Sequence, residues 1–165
     1  MNGCLVTDEV TFDIEEQNSP PILVDKPGSQ TAIGEIIYFD LADRTPYQID
    51  FELGVRDVDI GQVLAARYNL FSRDQSSLEF ESDDIKDVSI GISGSAARDI
   101  EFSIGGGFFE LDRCYRLELA VTSKFENRFS ANSWASPADT DDIAKAIWYI
   151  VTGDSIGCQA TTKYE

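Results

Sequence analysis

The stretch Tyr47-Gln48-Ile49-Asp50-Phe51-Glu52-Leu53-Gly54-Val55-Arg56 places an apolar residue at every odd position and a polar residue or glycine at every even one. Side chains on an extended backbone point alternately to opposite faces, so this run spells a strand with one face buried and one wet. The same period continues outward from it. Leu64, Ala66, Tyr68 and Leu70 align within Val63 to Phe71; Val88, Ile90 and Ile92 form a shorter set; Ile100, Phe102 and Ile104 another; and Tyr115, Leu117, Leu119 and Val121 mark a clear late strand. Between them lie turn-rich pieces at Asp57 to Gly61, Ser72 to Ser77, Gly94 to Ala97 and Gly105 to Gly107. Short alternating strands joined by brief polar turns predict an all-β sandwich or barrel.

Three regions depart from that rhythm. The first thirty residues combine a short strand-like piece, Leu5 to Phe12, with proline-rich connections at Pro20-Pro21 and Pro27-Gly28. They read as a tether or edge strand (1–30) ahead of a body that spans 31–165. Ser123 to Pro137 scatters Phe125, Phe129 and Trp134 among Asn, Arg and Ser and reads as a long loop, the kind of segment that often carries function. In Asp139 to Val151, Ile143, Ile147, Trp148 and Val151 fit helical spacing, while Ala144, Ala146, Trp148 and Ile150 fit strand spacing. Its β-branched and aromatic second half favours a strand, with the helix left open.

The totals narrow the function classes. A chain of 165 residues that is 42% hydrophobic, with two Trp, six Tyr and ten Phe, is large and apolar enough to bury one core. Thirty Asp and Glu against thirteen Lys and Arg give a net charge of −17. Nucleic acid is excluded as a partner, because phosphate recognition needs clustered cations. There is no histidine. That removes every Ser-His-Asp or Cys-His catalytic arrangement within the chain. Nothing in the spacing of thirty carboxylates singles out a glycosidase pair. Gly105-Gly106-Gly107 lacks the Lys-Ser or Lys-Thr of a phosphate-binding loop, and Gly91 to Ser95 falls short of a nucleophile elbow. The expectation is a protein that is not an enzyme.

The cysteines are Cys4, Cys114 and Cys158, without the paired close spacing of a zinc site. Cys114 and Cys158 both adjoin strand-like segments and read as a disulfide, the alternative being two buried free thiols. A bond closing that loop would stabilise by roughly 3–4 kcal/mol and place the protein in an oxidising compartment. Cys4 follows Gly3 and precedes a polar stretch, a pattern similar to the end of a bacterial lipobox. A lipid on Cys4 would anchor the domain without spanning a bilayer, and membrane contact is expected only through it. Asp139, Asp141 and Asp142 form an acidic group that either holds a cation or caps a helix N-terminus, whose dipole favours negative charge.

Val55-Arg56-Asp57-Val58-Asp59-Ile60-Gly61-Gln62, followed by Tyr68-Asn69-Leu70, resembles the Asp-x-Asp-x-Gly turn and following strand of cadherin-like repeats. Leu111-Asp112-Arg113, followed by Tyr115 to Val121, is similar to that family's Leu-Asp-Arg element and its strand. Cys114 stands where the family carries a glutamate, and the Asp-x-Asn-Asp linker between repeats is absent. The resemblance implies an immunoglobulin/cadherin-like antiparallel β-sandwich of about seven to nine strands. It also implies that Cys114 and Cys158 lie at one end of the sandwich, and that Asp112 approaches Asp57 and Asp59 to offer calcium a carboxylate cluster. Turn-capping by Asp57 and Asp59 is the alternative. Exported bacterial lipoproteins with such domains are a further parallel. The expected function is a non-catalytic binding or structural module, in the bacterial cell envelope (periplasm or outer membrane surface) or outside the cell. It would contact a protein partner or copies of itself. The alternative is a calcium-dependent adhesion or carbohydrate-binding domain, with Phe125, Phe129, Trp134 and Tyr149 as candidate sugar-facing rings.

Overall fold

A computed structural model describes residues 19–41, 48–57, 63–73, 81–88, 98–125 and 142–153, with only the backbone for 81–88. The opening stretch forms β3 (Gln48–Arg56), with Ile49, Phe51, Leu53 and Val55 buried and Gln48, Asp50, Glu52 and Arg56 exposed, as its alternation predicts. It lies at the centre of a three-stranded sheet between β1 (Ile22–Asp25) and β6 (Arg98–Gly105), antiparallel to both. The second sheet has the order β2-β8-β7-β4-β5, built from β2 (Ile36–Phe39), β8 (Ala144–Thr152), β7 (Cys114–Thr122), β4 (Ala65–Arg73) and β5 (Glu81–Val88). The protein is all-β, its two sheets packed as a β-sandwich of eight described strands. One pairing departs from the antiparallel expectation: β2 runs parallel to β8, from Ile36 opposite Tyr149 to Phe39 opposite Thr152.

That exception has a local cause. After β1 the chain leaves the small sheet, crosses to the large one and continues in the same direction as β2, so it meets the last strand in parallel. The crossing turns at Gly28 and Gly34, whose φ values of 87° and 83° suit glycine. Asp25 Oδ1 accepts the Ile33 N–H at 2.7 Å, and the Gly34 N–H donates to the Ile147 carbonyl at 3.0 Å. Among the described strands Ile22–Asp25 stands at the edge of the small sheet, with Leu23 packed against the core.

Four rings join the layers. Phe51 and Phe102 of the small sheet stack at 4.8 Å; Tyr68 of β4 stacks on Phe102 at 5.0 Å; Trp148 of β8 meets Phe51 edge-on at 5.0 Å. Trp148 is fully buried, and its Nε1–H donates to the Thr31 carbonyl at 3.0 Å, so the core holds the crossing segment directly. The segment 139–151 thus ends in a strand, and the helical alternative falls. Its second half is inserted between β2 and β7, where only an extended backbone can pair on both edges.

β4 and β7 bury residues on both faces. Beyond the inter-sheet core, Phe71, Ala120 and Phe125 form a second cluster, with the Arg67 guanidinium 4.3 Å from the Phe125 ring centre. Asn69 and Thr122 are buried on this outer side as well. β5 was hidden from a hydrophobic reading because its sequence, ESDDIKDV, is charged; of the set expected at Val88 to Ile92 only Val88 is described. Gly106–Phe108 is a single 3-10 turn closed by Phe109 N–H to Gly106 O at 3.2 Å, in keeping with a turn.

At the start of β7 the Tyr115 hydroxyl accepts the Glu110 N–H at 2.6 Å, while its ring meets Phe109 edge-on at 5.0 Å. Tyr115→Phe leaves that amide unpaired with the packing intact, and should lower the unfolding free energy by about 1–2 kcal/mol. Urea unfolding reads this as a lower midpoint at an unchanged slope. An unmoved midpoint would mean that water satisfies the Glu110 amide.

Candidate binding cleft at the sheet switch

The carboxylates expected to share a cation are not brought together. Asp57 directly follows β3 at the end where Val55 pairs with Arg98, whereas Asp112 precedes β7 at the opposite end, where Gln48 pairs with Gly105 and Cys114 with Val151. The length of β3 separates them, so Asp112 cannot complete a site with Asp57; Asp59 lies outside the described residues. Among the described residues there is no group of three or more His, Cys, Asp or Glu side chains that could hold a metal ion. Asp112 has φ 57°, and its carboxylate occupies the space beside Gly153, itself at φ 69°. Its place is a left-handed turn, a conformation that Asp tolerates better than most residues.

The other candidate residues are dispersed. Cys114 is buried and opens β7 opposite Val151; Cys158 and Cys4 lie outside the described residues. Asp139 and Asp141 also lie outside them. Asp142 is fully buried, and its Oδ2 accepts from the Thr122 hydroxyl at 3.2 Å and the Ser123 N–H at 2.9 Å. It thus tethers the turn after β7, and it caps no helix, because the strand β8 follows it. Phe125 is buried against Arg67 and Tyr149 is half-buried on β8, while Phe129 and Trp134 are not described. The four rings do not form a described platform.

The concavity lies where sequence spacing gave no sign of one. β1 pairs only with Leu53–Arg56, so among the described residues the first half of β3, Gln48 to Glu52, has no strand on that edge. Across a gap of about 620 Å³ stands β2, joined to β8 on its other edge. Two strand edges, one from each sheet, therefore face a common cleft, floored by the crossing segment around Thr31. Thr31 Oγ1 donates to the Asp50 carbonyl at 3.1 Å, which shows that Asp50 turns its backbone groups towards the cleft. By the two-residue period, Gln48 and Glu52 do the same.

The walls carry acceptors and negative charge. Asp40, Asp50 and Glu52 line the cleft with Gln48 and Tyr38, and no Lys or Arg is among the described lining residues. Asp50 Oδ1 is fixed by Gln48 Nε2 at 2.8 Å and Ser103 Oγ at 2.6 Å. Glu52 sits directly opposite Glu101. Lys26 is drawn away from the cleft to Asp99 at 3.1 Å and Glu101 at 3.2 Å; the hydrogen bond it donates to Asp99 first, and that to Glu101, raise its pKa above the usual lysine value. Tyr38, 65% exposed, stands between this cleft and a smaller one of about 220 Å³ beside Val151 and Gly153. Such an arrangement can hydrogen-bond an extended backbone, pair with cations and stack on a flat apolar face. The sequence signal for Tyr38 was the run Ile36-Ile37-Tyr38-Phe39, too short for a period to register.

Compared with protein-family models, curated proteins and solved structures, the chain matches none of them.

Proposed function

We propose that this chain is an exported, immunoglobulin-like module that works by binding a protein partner, without catalysis, through the open strand edges at the sheet switch. The observation that carries the reading is the cleft: two strand edges with no neighbouring strand among the described residues, beside an exposed tyrosine and lined by hydrogen-bonding groups. Sheet edges of this kind are the common seat of added strands. The outer side of β4 and β7, the other broad surface a sandwich offers, is partly covered, with Asn69, Phe71, Ala120 and Thr122 buried there.

The immunoglobulin-like assignment draws on connectivity. β1, β3 and β6 stand as strands A, B and E of one sheet, while β8, β7, β4 and β5 stand as G, F, C and C′ of the other. β2 continues strand A into the second sheet. Tyr115, near the start of the F-like strand and bonded to backbone five residues upstream, occupies the place of the tyrosine corner. Export rests on the disulfide expected between Cys114 and Cys158, since such bonds persist in oxidising compartments. Cys158 is the partner this reading assigns, since β8 ends beside Cys114 six residues before it. A lipid on Cys4 belongs to the same reading, and no helix among the described residues is long and apolar enough to cross a membrane.

A photo-crosslinking amino acid at Tyr38, in protein expressed with a leader in an exporting host, tests the reading. The expected result is one discrete adduct to a second protein, absent when the crosslinker replaces Lys145 at the other end of β8. No adduct at Tyr38, or substrate turnover by the purified protein, would overturn it.

A further inference from the structure

We infer that the occupant of the cleft is an extended segment of a different protein, bearing Lys or Arg at alternate positions and seated as an added strand against the Gln48–Glu52 edge of β3. The inference rests on the proposed role of the cleft and names the chemistry of its ligand. Gln48, Asp50 and Glu52 turn backbone donors and acceptors to the cleft at intervals of about 6.6 Å, and among these groups the Asp50 carbonyl is already taken by Thr31. An incoming strand matches that interval with every second residue of its own. The side chains of the same three residues are exposed on the outer face of the small sheet. An added strand would project alternate side chains over that face, beside the carboxylates of Asp50 and Glu52. Its other side chains would turn inward, towards Ile37 and Ile49.

Charge selects the partner. Glu52 faces Glu101, and Lys26 is tied to Asp99 and Glu101, so an incoming carboxylate would meet repulsion and an incoming ammonium or guanidinium would relieve it. The same argument disfavours the protein's own N-terminal segment and a second copy. The protein's own N-terminal segment carries Asp8, Glu9, Asp13, Glu15 and Glu16 and, through Asp25, no Lys or Arg. A second copy brings a net charge of −17 to a surface of the same sign. The occupant is thus a basic strand of another chain.

The test uses two synthetic nonapeptides, one alternating Lys and Thr and one alternating Glu and Thr, titrated into the full chain with amide exchange and amide chemical shifts read by NMR. The expected result is slowed exchange at the Asp50 and Glu52 amides with the Lys peptide only. Affinity should weaken about tenfold in the double variant Asp50→Asn/Glu52→Gln, and should also fall as salt is raised. Both substitutions keep a side-chain acceptor, and unchanged amide shifts elsewhere in the core report that the variant folds. Equal protection by both peptides would overturn the selection by charge while leaving the edge as a binding site. Protection by neither would overturn the added strand; a crosslinked partner at Tyr38 would then show that the broader reading survives without it. Shifts confined to Tyr38 on addition of a neutral oligosaccharide, with no response to either peptide, would overturn it in favour of a sugar.

Discussion

Trp148→Ala should lower the free energy of unfolding by about 3–5 kcal/mol, a large part of the total stability of an ordinary domain. The indole is fully buried, touches Phe51 and Phe102 of the opposite sheet, and donates to the Thr31 carbonyl. Truncation opens a cavity between the layers and leaves a carbonyl of the crossing segment unpaired. Trp148→Phe separates the two losses. It keeps most of the ring contact and removes the donor, for an expected loss of about 1–2 kcal/mol from the unpaired carbonyl, with a further part from the smaller ring. Because Thr31 floors the cleft, Trp148→Phe should also speed amide exchange between Lys26 and Glu35. Denaturant unfolding followed by circular dichroism measures the first effect. A loss below about 1 kcal/mol for Trp148→Ala would mean that the two sheets are not joined through this ring.

Gly153→Ala should destabilise by about 2 kcal/mol through two additive causes. The residue has φ 69°, and an added Cβ would fall on the Asp112 carboxylate and 3.3 Å from the Asp112 backbone nitrogen. Gly28→Ala is the matched control, since Gly28 also has a positive φ, 87°, but has open space where its Cβ would stand. It should lose only the backbone part, about 1 kcal/mol. Asp112→Gly should recover part of the loss in Gly153→Ala, because it removes both the carboxylate in the way and a left-handed non-glycine residue. Equal losses at Gly28 and Gly153, with no recovery, would show that the turn before β7 yields freely. Calcium should leave the melting temperature of the native protein and of Asp112→Gly alike unmoved if Asp112 serves this turn.

β3, β4, β6 and β7 were legible because each is long enough for its alternation to repeat, and each buries one face against the same core. β1 and β2, four residues each, gave no period to read, and β1 lies among prolines that looked like a connector. β5 stands last in the order of the described strands, and its charged sequence hides it from a search for apolar residues. β8 stayed ambiguous because a strand flanked on both edges and buried along much of its length needs no alternation, so Ile147 and Val151 could be apolar on its second face.

The candidate site was less legible than the fold. Asp57 and Asp112 read as neighbours only if their turns lie at one end, and the number of strands between them decides that end. The cleft depends on where β1 stops. Had β1 continued for five more residues, it would have covered the edge of β3 down to Gln48; instead the chain turns at Gly28 and crosses to the other sheet. Side-chain alternation is set by neighbours along the chain, so the sequence by itself determined the all-β class, the buried faces of four strands and the absence of imidazole chemistry. Which edges meet, which stay open and which carboxylates share a pole depends on hydrogen bonds between residues far apart in the chain, and only the tertiary structure decided those.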